Sequence, residues 1–268
     1  MIDSQGQILA WKSREDHSKH QTYEKHIVSM IECWDKYLRR KYAKSLARVL
    51  EVKSSLLDDI VKFTLIMHDS GKCTLFYQQN LTNPKRYRHE IVSAYLAYRL
   101  SEGVFEKRIR YVLSGSIFLH HEPILMGSIS FQRERGVTLT DIRGRLEYPN
   151  PDKFEKVEST KILHRGFKSL FNGLLSQHLN SSGVVNEILD NLHAIEEELN
   201  VDDMVNTIGK IVAVLALAGD DTWRHTMRIQ VSALQYILVV CDYYGSRDRG
   251  YEESKFQEEI KWEWGEGL

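Results

Sequence analysis

Apolar residues recur at intervals of three and four along most of this chain, and only 4 prolines interrupt 268 residues, so helices are expected to dominate. Ile27, Met30, Ile31, Trp34 and Leu38 share one side of a helix predicted over 22–50. Ser54 and Ser55 offer N-caps to a greasier helix through Leu57, Ile60, Val61, Thr64 and Leu65, which Gly71 is expected to end with a left-handed cap. Asn83-Pro84 and Asn150-Pro151 each join a capping side chain to a proline suited to the first turn. They predict one helix carrying His89, Ser93 and Leu96 and another reaching toward His178. Further helices are expected at about 106–120, 204–218 and 222–244. Only 123–149 breaks the pattern. It is glycine-rich and alternates through Ser128-Ile129-Ser130-Phe131 and Val137-Thr138-Leu139-Thr140, which predicts a small β-hairpin insert or a long ordered loop. The expected fold is all-α, one domain over 1–268 with its core at about 22–246. The tail, 247–268, mixes charge with Phe256, Ile260, Trp262 and Trp264 and is expected to pack back on the domain.

Charge alters this picture little: 36 basic residues nearly balance 37 acidic ones, so no global field draws the chain to nucleic acid or membrane, and local patches must do so. Cys33, Cys73 and Cys241 are far apart and form no CxxC pair, which argues against a disulfide framework or a cysteine zinc site and fits a reducing compartment. The N-terminus lacks a signal-peptide h-region, and the greasiest run, 208–219, is too short to span a bilayer. A soluble, cytoplasmic protein without a membrane partner is expected.

The candidate chemistry lies in the histidines, of which there are 11. His68-Asp69 ends one predicted helix, His120-His121 ends another, and His89 lies between them. Imidazole and carboxylate are ligands for divalent transition metals. A carboxylate has two oxygens and can bridge two ions, and Asp69, crowded by histidines, is the natural bridge. Isolated histidines such as His164, His178, His193 and His225 are read as structural.

The ordered set His68-Asp69-Ser70-Gly71-Lys72, Phe76-Tyr77-Gln78, Arg88-His89-Glu90 with Ser93, His120-His121 and Asp242-Tyr243-Tyr244-Gly245-Ser246 resembles the HD phosphohydrolase superfamily. Within it, the set resembles the HD nuclease of type I CRISPR interference, over about 26–246. The resemblance implies an all-helical fold holding one or two divalent ions. It implies His26, His68, Asp69 and Asp242 as ligands of the first ion, and Asp69, His89, His120 and His121 as ligands of the second. Asp69 and Lys72 become the catalytic residues, with Lys72 pairing with a substrate phosphate or a water, and Ser246 either an accessory contact or a helix C-cap residue. His20 is an alternative to His26, which is favoured by its place in an amphipathic helix. Asp220 or Asp221 is an alternative to Asp242, but neither has the trailing Gly-Ser.

Mixed imidazole and oxygen ligation suits Mn, Fe, Co or Ni, while the family often responds to Mg or Mn. The implied reaction is phosphodiester hydrolysis by metal-activated water, cutting single-stranded DNA and possibly RNA. Lys85, Arg86 and Arg88, beside Tyr87, supply charge and an aromatic ring for a strand next to His89. Arg133, Arg135, Arg143 and Arg145 are left open. No GxxxxGK[ST] is present, so the helicase usually fused to this nuclease, like the RNA-guided surveillance complex, is expected as a separate partner. Two other readings share these residues: an HD phosphohydrolase acting on nucleotides, and a non-catalytic helical adaptor with a structural metal.

Overall fold

The computed structural model describes residues 7–16, 18–83, 87–120, 139–149, 156–216 and 219–249. It opens with a two-stranded antiparallel sheet that the periodicity did not predict, β1 (Leu9–Lys12) and β2 (His20–Thr22). Thr22 then caps α1 (Tyr23–Cys33), its Oγ1 accepting from the Lys25 backbone N–H at 3.2 Å. A π-turn at Trp34–Leu38 joins α1 to α2 (Arg39–Leu50). The rod predicted over 22–50 is therefore continuous, but its register slips midway, and Trp34 and Leu38 both end up buried.

The greasy helix is α3 (Ser54–Met67), in which every residue from Leu57 to Met67 is buried. Lys53 is its N-cap, so Ser54 and Ser55 lie within the first turn instead of capping it. Its buried carboxylates are satisfied: Asp58 accepts from Trp34 Nε1 at 3.3 Å, and Asp59 accepts from the backbone N–H groups of Asn180 and Ser181 at 2.7 and 3.2 Å. After α3 comes a 3₁₀ turn at Ser70–Cys73, then α4 (Leu75–Gln79), α5 (His89–Leu100), α6 (Lys107–Leu119), α7 (Leu139–Glu147), α8 (Phe167–His178), α9 (Ser182–Ala194), α10 (Val201–Ala216) and α11 (Asp221–Ser246). α3 packs against α1, α2, α5, α6, α8 and α11, which makes it the central helix. Among the described residues no helix is long and apolar enough to cross a membrane.

The all-α expectation holds, with local corrections. The predicted hairpin does not form where it can be followed: 123–138 lie outside the described residues, and Leu139–Glu147 is helical, with Ile142 and Leu146 buried one turn apart. Helical spacing there overrides a short alternation. The helix expected from Asn83-Pro84 begins only at His89, because Arg88 is extended and the buried Tyr87 hydroxyl is tied to Thr74. The helix reaching His178 starts at Phe167, because Ile162 to His164 run extended, hydrogen-bonded to Leu75, Glu197 and Cys73. Asn150 and Pro151 lie outside the described residues. Gly71 does not cap α3 in a left-handed conformation. A Cβ there would sit 2.1 Å from the His89 carbonyl oxygen, so the glycine is needed for close approach.

Candidate metal centre

Each polar group of the centre comes from the end of a buried element. His68 is the C-cap of α3, His120 is the C-cap of α6, and His89 opens α5. His26 comes from α1 and Asp242 from the last turns of α11. Two helix C-termini, the negative ends of their dipoles, thus meet at one place, which favours a cation.

Asp69 lies at the middle. Its Oδ2 is 3.3 Å from His68 Nε2 and 3.8 Å from His26 Nε2, while its Oδ1 is 3.0 Å from His89 Nε2 and 3.8 Å from His120 Nε2. Asp242 Oδ1 completes the first side, 3.1 Å from His26 Nε2 and 3.8 Å from His68 Nε2. His26, His68, Asp69 and Asp242 form one group whose ligand atoms lie within 4.8 Å of one another, and Asp69, His89 and His120 form another. One carboxylate faces two ligand groups with its two oxygens.

The orientation of these rings suits an ion better than it suits the groups themselves. His26 Nε2, His68 Nε2 and Asp69 Oδ1 are buried without a hydrogen-bond partner, despite their proximity. Such atoms are costly unless a ligand satisfies them. His68 Nδ1 donates to the Leu65 carbonyl at 2.8 Å and His120 Nδ1 to the Ile117 carbonyl at 2.5 Å, so each presents Nε2 to the cluster. The donor set, imidazole nitrogen with carboxylate oxygen, fits a divalent transition metal.

Electrostatics separate the histidines. Burial disfavours the His68 imidazolium, but the Asp69 and Asp242 carboxylates outweigh it and raise its pKa to about 9. Burial dominates at His26 and His89 and lowers both, offset only in part by Asp242 and by Glu90 with Asp69. Asp69 is buried too, yet His68 and Lys72 hold its carboxyl well below the usual range. Lys72 Nζ donates to Asp69 Oδ2 at 2.6 Å and lies 6.0 Å from the centroid of the Tyr77 ring.

The structure brings together six of the residues read from the sequence: His26, His68, Asp69, His89, His120 and Asp242, with Lys72 beside them. His121, Lys85 and Arg86 lie outside the described residues. His20 is exposed in β2, its Nδ1 bonded to the Ser18 carbonyl, and takes no part. Asp220 N-caps α11 through the Trp223 N–H, and Asp221 pairs with Arg224. Arg88 pairs with Glu90 at 3.2 Å, and Ser246 is half-buried at the end of α11.

Three contributors were not read from the sequence. Arg249 Nη2 lies 3.1 Å from His26 Nδ1, and Arg249 Nε donates to Gln21 Oε1 at 2.7 Å. Gln21 Nε2 in turn donates to the Gly245 carbonyl at 2.7 Å, which ties β2 to α11. Glu90 Oε2 lies 3.7 Å from His89 Nδ1. Only the adjacency of Glu90 to His89 gave any signal for these.

Fold and site together define a predominantly helical domain with a buried histidine–aspartate cluster that could hold a metal ion. No family model matches the chain. It is, however, similar to three curated proteins, each described as CRISPR-associated endonuclease Cas3-HD. The one from Pyrococcus furiosus is 29% identical over 250 residues, covering 90% of this chain and 94% of its own. Those from Methanocaldococcus jannaschii and Thermoproteus tenax are 26% and 24% identical over 253 and 230 residues, covering 91% and 85% of this chain and 93% and 86% of theirs. Among solved structures, the Cas3 HD domain protein of Methanocaldococcus jannaschii aligns with a TM-score of 0.48 and 21% identity, over 77% of this chain and 97% of that one. The resemblance to the CRISPR-associated HD nucleases that the motifs carry is thus borne out along most of the chain.

Proposed function

We propose that this chain is a metal-dependent phosphodiesterase that cuts single-stranded DNA in CRISPR interference, working in the cytoplasm with a separate helicase and an RNA-guided surveillance complex. The observation that carries the reading is Asp69, whose two oxygens face separate groups of histidines 3.0–3.8 Å away. The naming of the three relatives as CRISPR-associated Cas3-HD endonucleases supports a nuclease reading.

In this reading His26, His68, Asp69 and Asp242 hold one ion, and Asp69, His89, His120 and His121 a second. Bound divalent ions supply a nucleophile from water near neutral pH and neutralise charge on the phosphate. The chain's own residues do the rest. Asp69 stays ionised because Lys72 and His68 stabilise its negative form. Lys72, held by Asp69 and buried, keeps its proton and offers a fixed positive charge to a phosphate oxygen. The backbone carbonyls of Leu65 and Ile117 orient His68 and His120, so no reorganisation is needed when ligand arrives. Arg88 lies beside the centre, where it can meet the strand's backbone.

The test is cleavage of labelled single-stranded DNA without metal, with Mn and with Mg, alongside a nucleotide panel. Metal-dependent cutting is expected for the wild type and its loss for Asp69→Ala. Hydrolysis of nucleotides with no cutting of oligonucleotides would overturn the substrate assignment.

A further inference from the structure

Among the described elements, α2 is the most positively charged. Its 12 residues carry Arg39, Arg40, Lys41, Lys44 and Arg48 and no carboxylate, in a chain whose overall charge is −1. All five cations are exposed. Arg39 pairs with Asp58, and Lys41, Lys44 and Arg48 form a stripe at intervals of three and four, with Arg40 beside it. Three or four residues of helix advance about 4.5–6 Å, so the stripe spaces its charges along a line of about 10 Å. That step is comparable with the distance between successive phosphates of an extended strand.

An apolar groove of about 200 Å³ runs alongside, between α2 and α11, lined by Tyr42, Ser45, Val49, Ala233, Tyr236 and Ile237. Lys41, Lys44 and Arg48 each precede a groove-lining residue by one position, so the cations stand about 100° round the helix, on the lip of the groove. Tyr42 and Tyr236 meet edge to face with centroids 5.9 Å apart, and Tyr236 remains exposed. α11 contributes no carboxylate between Thr222 and Cys241, so nothing on that wall opposes an anion. Tyr236 is six residues from Asp242 on the same helix, about 9 Å along its axis.

A row of cations beside flat aromatic rings is the chemistry that holds a single strand, with charge for the backbone and rings for the bases. We propose that the α2–α11 groove and its basic lip bind single-stranded nucleic acid outside the metal centre, with phosphates on Lys41, Lys44 and Arg48 and bases against Tyr42 and Tyr236. The choice of ligand rests on the phosphodiesterase reading above.

The test is fluorescence anisotropy of a fluorescein-labelled 20-residue oligothymidylate with the full chain, free of metal, across a salt series. Lys41→Glu with Lys44→Glu and Arg48→Glu is expected to weaken binding at least about tenfold and to flatten the slope of log K against log salt by about 2. Tyr236→Ala is expected to weaken binding at least about fivefold with the salt slope unchanged. A charge-reversal control elsewhere, Lys107→Glu with Lys210→Glu, should do neither. Circular dichroism checks the fold, and glutamine at the same three positions replaces glutamate if the reversal unfolds the protein. Unchanged affinity and slope in the stripe variants overturn the proposal. So does a lower melting temperature with unchanged DNA affinity, which would assign the stripe a structural role within the fold. Failure of the metal-centre reading appears separately, as wild-type protein inert toward bis(p-nitrophenyl) phosphate with any metal.

Discussion

Replacing Gly71 with alanine tests whether the second ligand group depends on close backbone packing. The new Cβ would lie 2.1 Å from the His89 carbonyl oxygen, and ordinary contact begins at 3.4 Å, so the two segments must part by about 1.3 Å. The Gly71 N–H also donates to Ser93 Oγ at 2.8 Å inside α5, and the same displacement strains that bond. Overpacking of this kind costs about 1–3 kcal/mol and a strained buried hydrogen bond about 1 more, so a loss of about 3 kcal/mol is expected. In a chain of this size that lowers the melting temperature by about 10 °C. The functional consequence should be larger, because metal–ligand distances tolerate only about 0.2 Å and His89 must move several times that. Gly173→Ala is the control: nothing lies within 4 Å of its Cβ, and it sits inside α8, where alanine should stabilise by about 0.5–1 kcal/mol. Denaturant melts and metal titration of both variants decide the matter. A Gly71→Ala protein within about 1 kcal/mol of wild type that binds its metal with full stoichiometry would refute the reasoning.

Three further outcomes follow from the centre itself. His68, with a pKa of about 9 in the metal-free protein, carries a proton at pH 7 that a metal must displace, so apparent affinity should rise with pH up to about 9. Isothermal titration in two buffers of different ionisation enthalpy should detect that released proton. The same raised pKa stabilises the metal-free fold fully below about 6.5 and is lost as pH climbs through about 9, so metal-free melts should weaken across that window. Arg249 has only donors to offer His26 Nδ1, which leaves a neutral His26 with its proton on Nε2, the atom needed for a ligand. Arg249→Ala should therefore tighten metal binding by about tenfold, and an unchanged titration curve would rule out that competition.

The sequence made the centre more legible than the scaffold around it. His68, Asp69, His89 and His120 were readable because ligand chemistry demands particular residue types, and a helix end is the place from which a short side chain can face a shared point; His26 and Asp242 came from the family resemblance. Boundaries were harder wherever a distant contact overrode the local signal. Asn83-Pro84 has good start chemistry, yet the helix waits for His89, because Tyr87 is held by a hydroxyl on the other side of the 3₁₀ turn. The start after Asn150-Pro151 was drawn too early for the same kind of reason, since an extended segment is gripped by Cys73 and Glu197 at either side. Gln21 and Arg249 could not be read at all: they join a strand at one end of the chain to the turn after α11, a separation of 228 residues. The glycines show how far local chemistry reaches. Gly71 looks like a helix terminator and Gly245 like one member of a motif, but both are glycine for a tertiary reason. A Cβ at Gly245 would come within 2.9 Å of His26 Nδ1 and 2.8 Å of Met30 Cγ, just as one at Gly71 would strike His89. Two ligands, one on each side of Asp69, are thus positioned by the absence of a methyl group on a neighbouring segment.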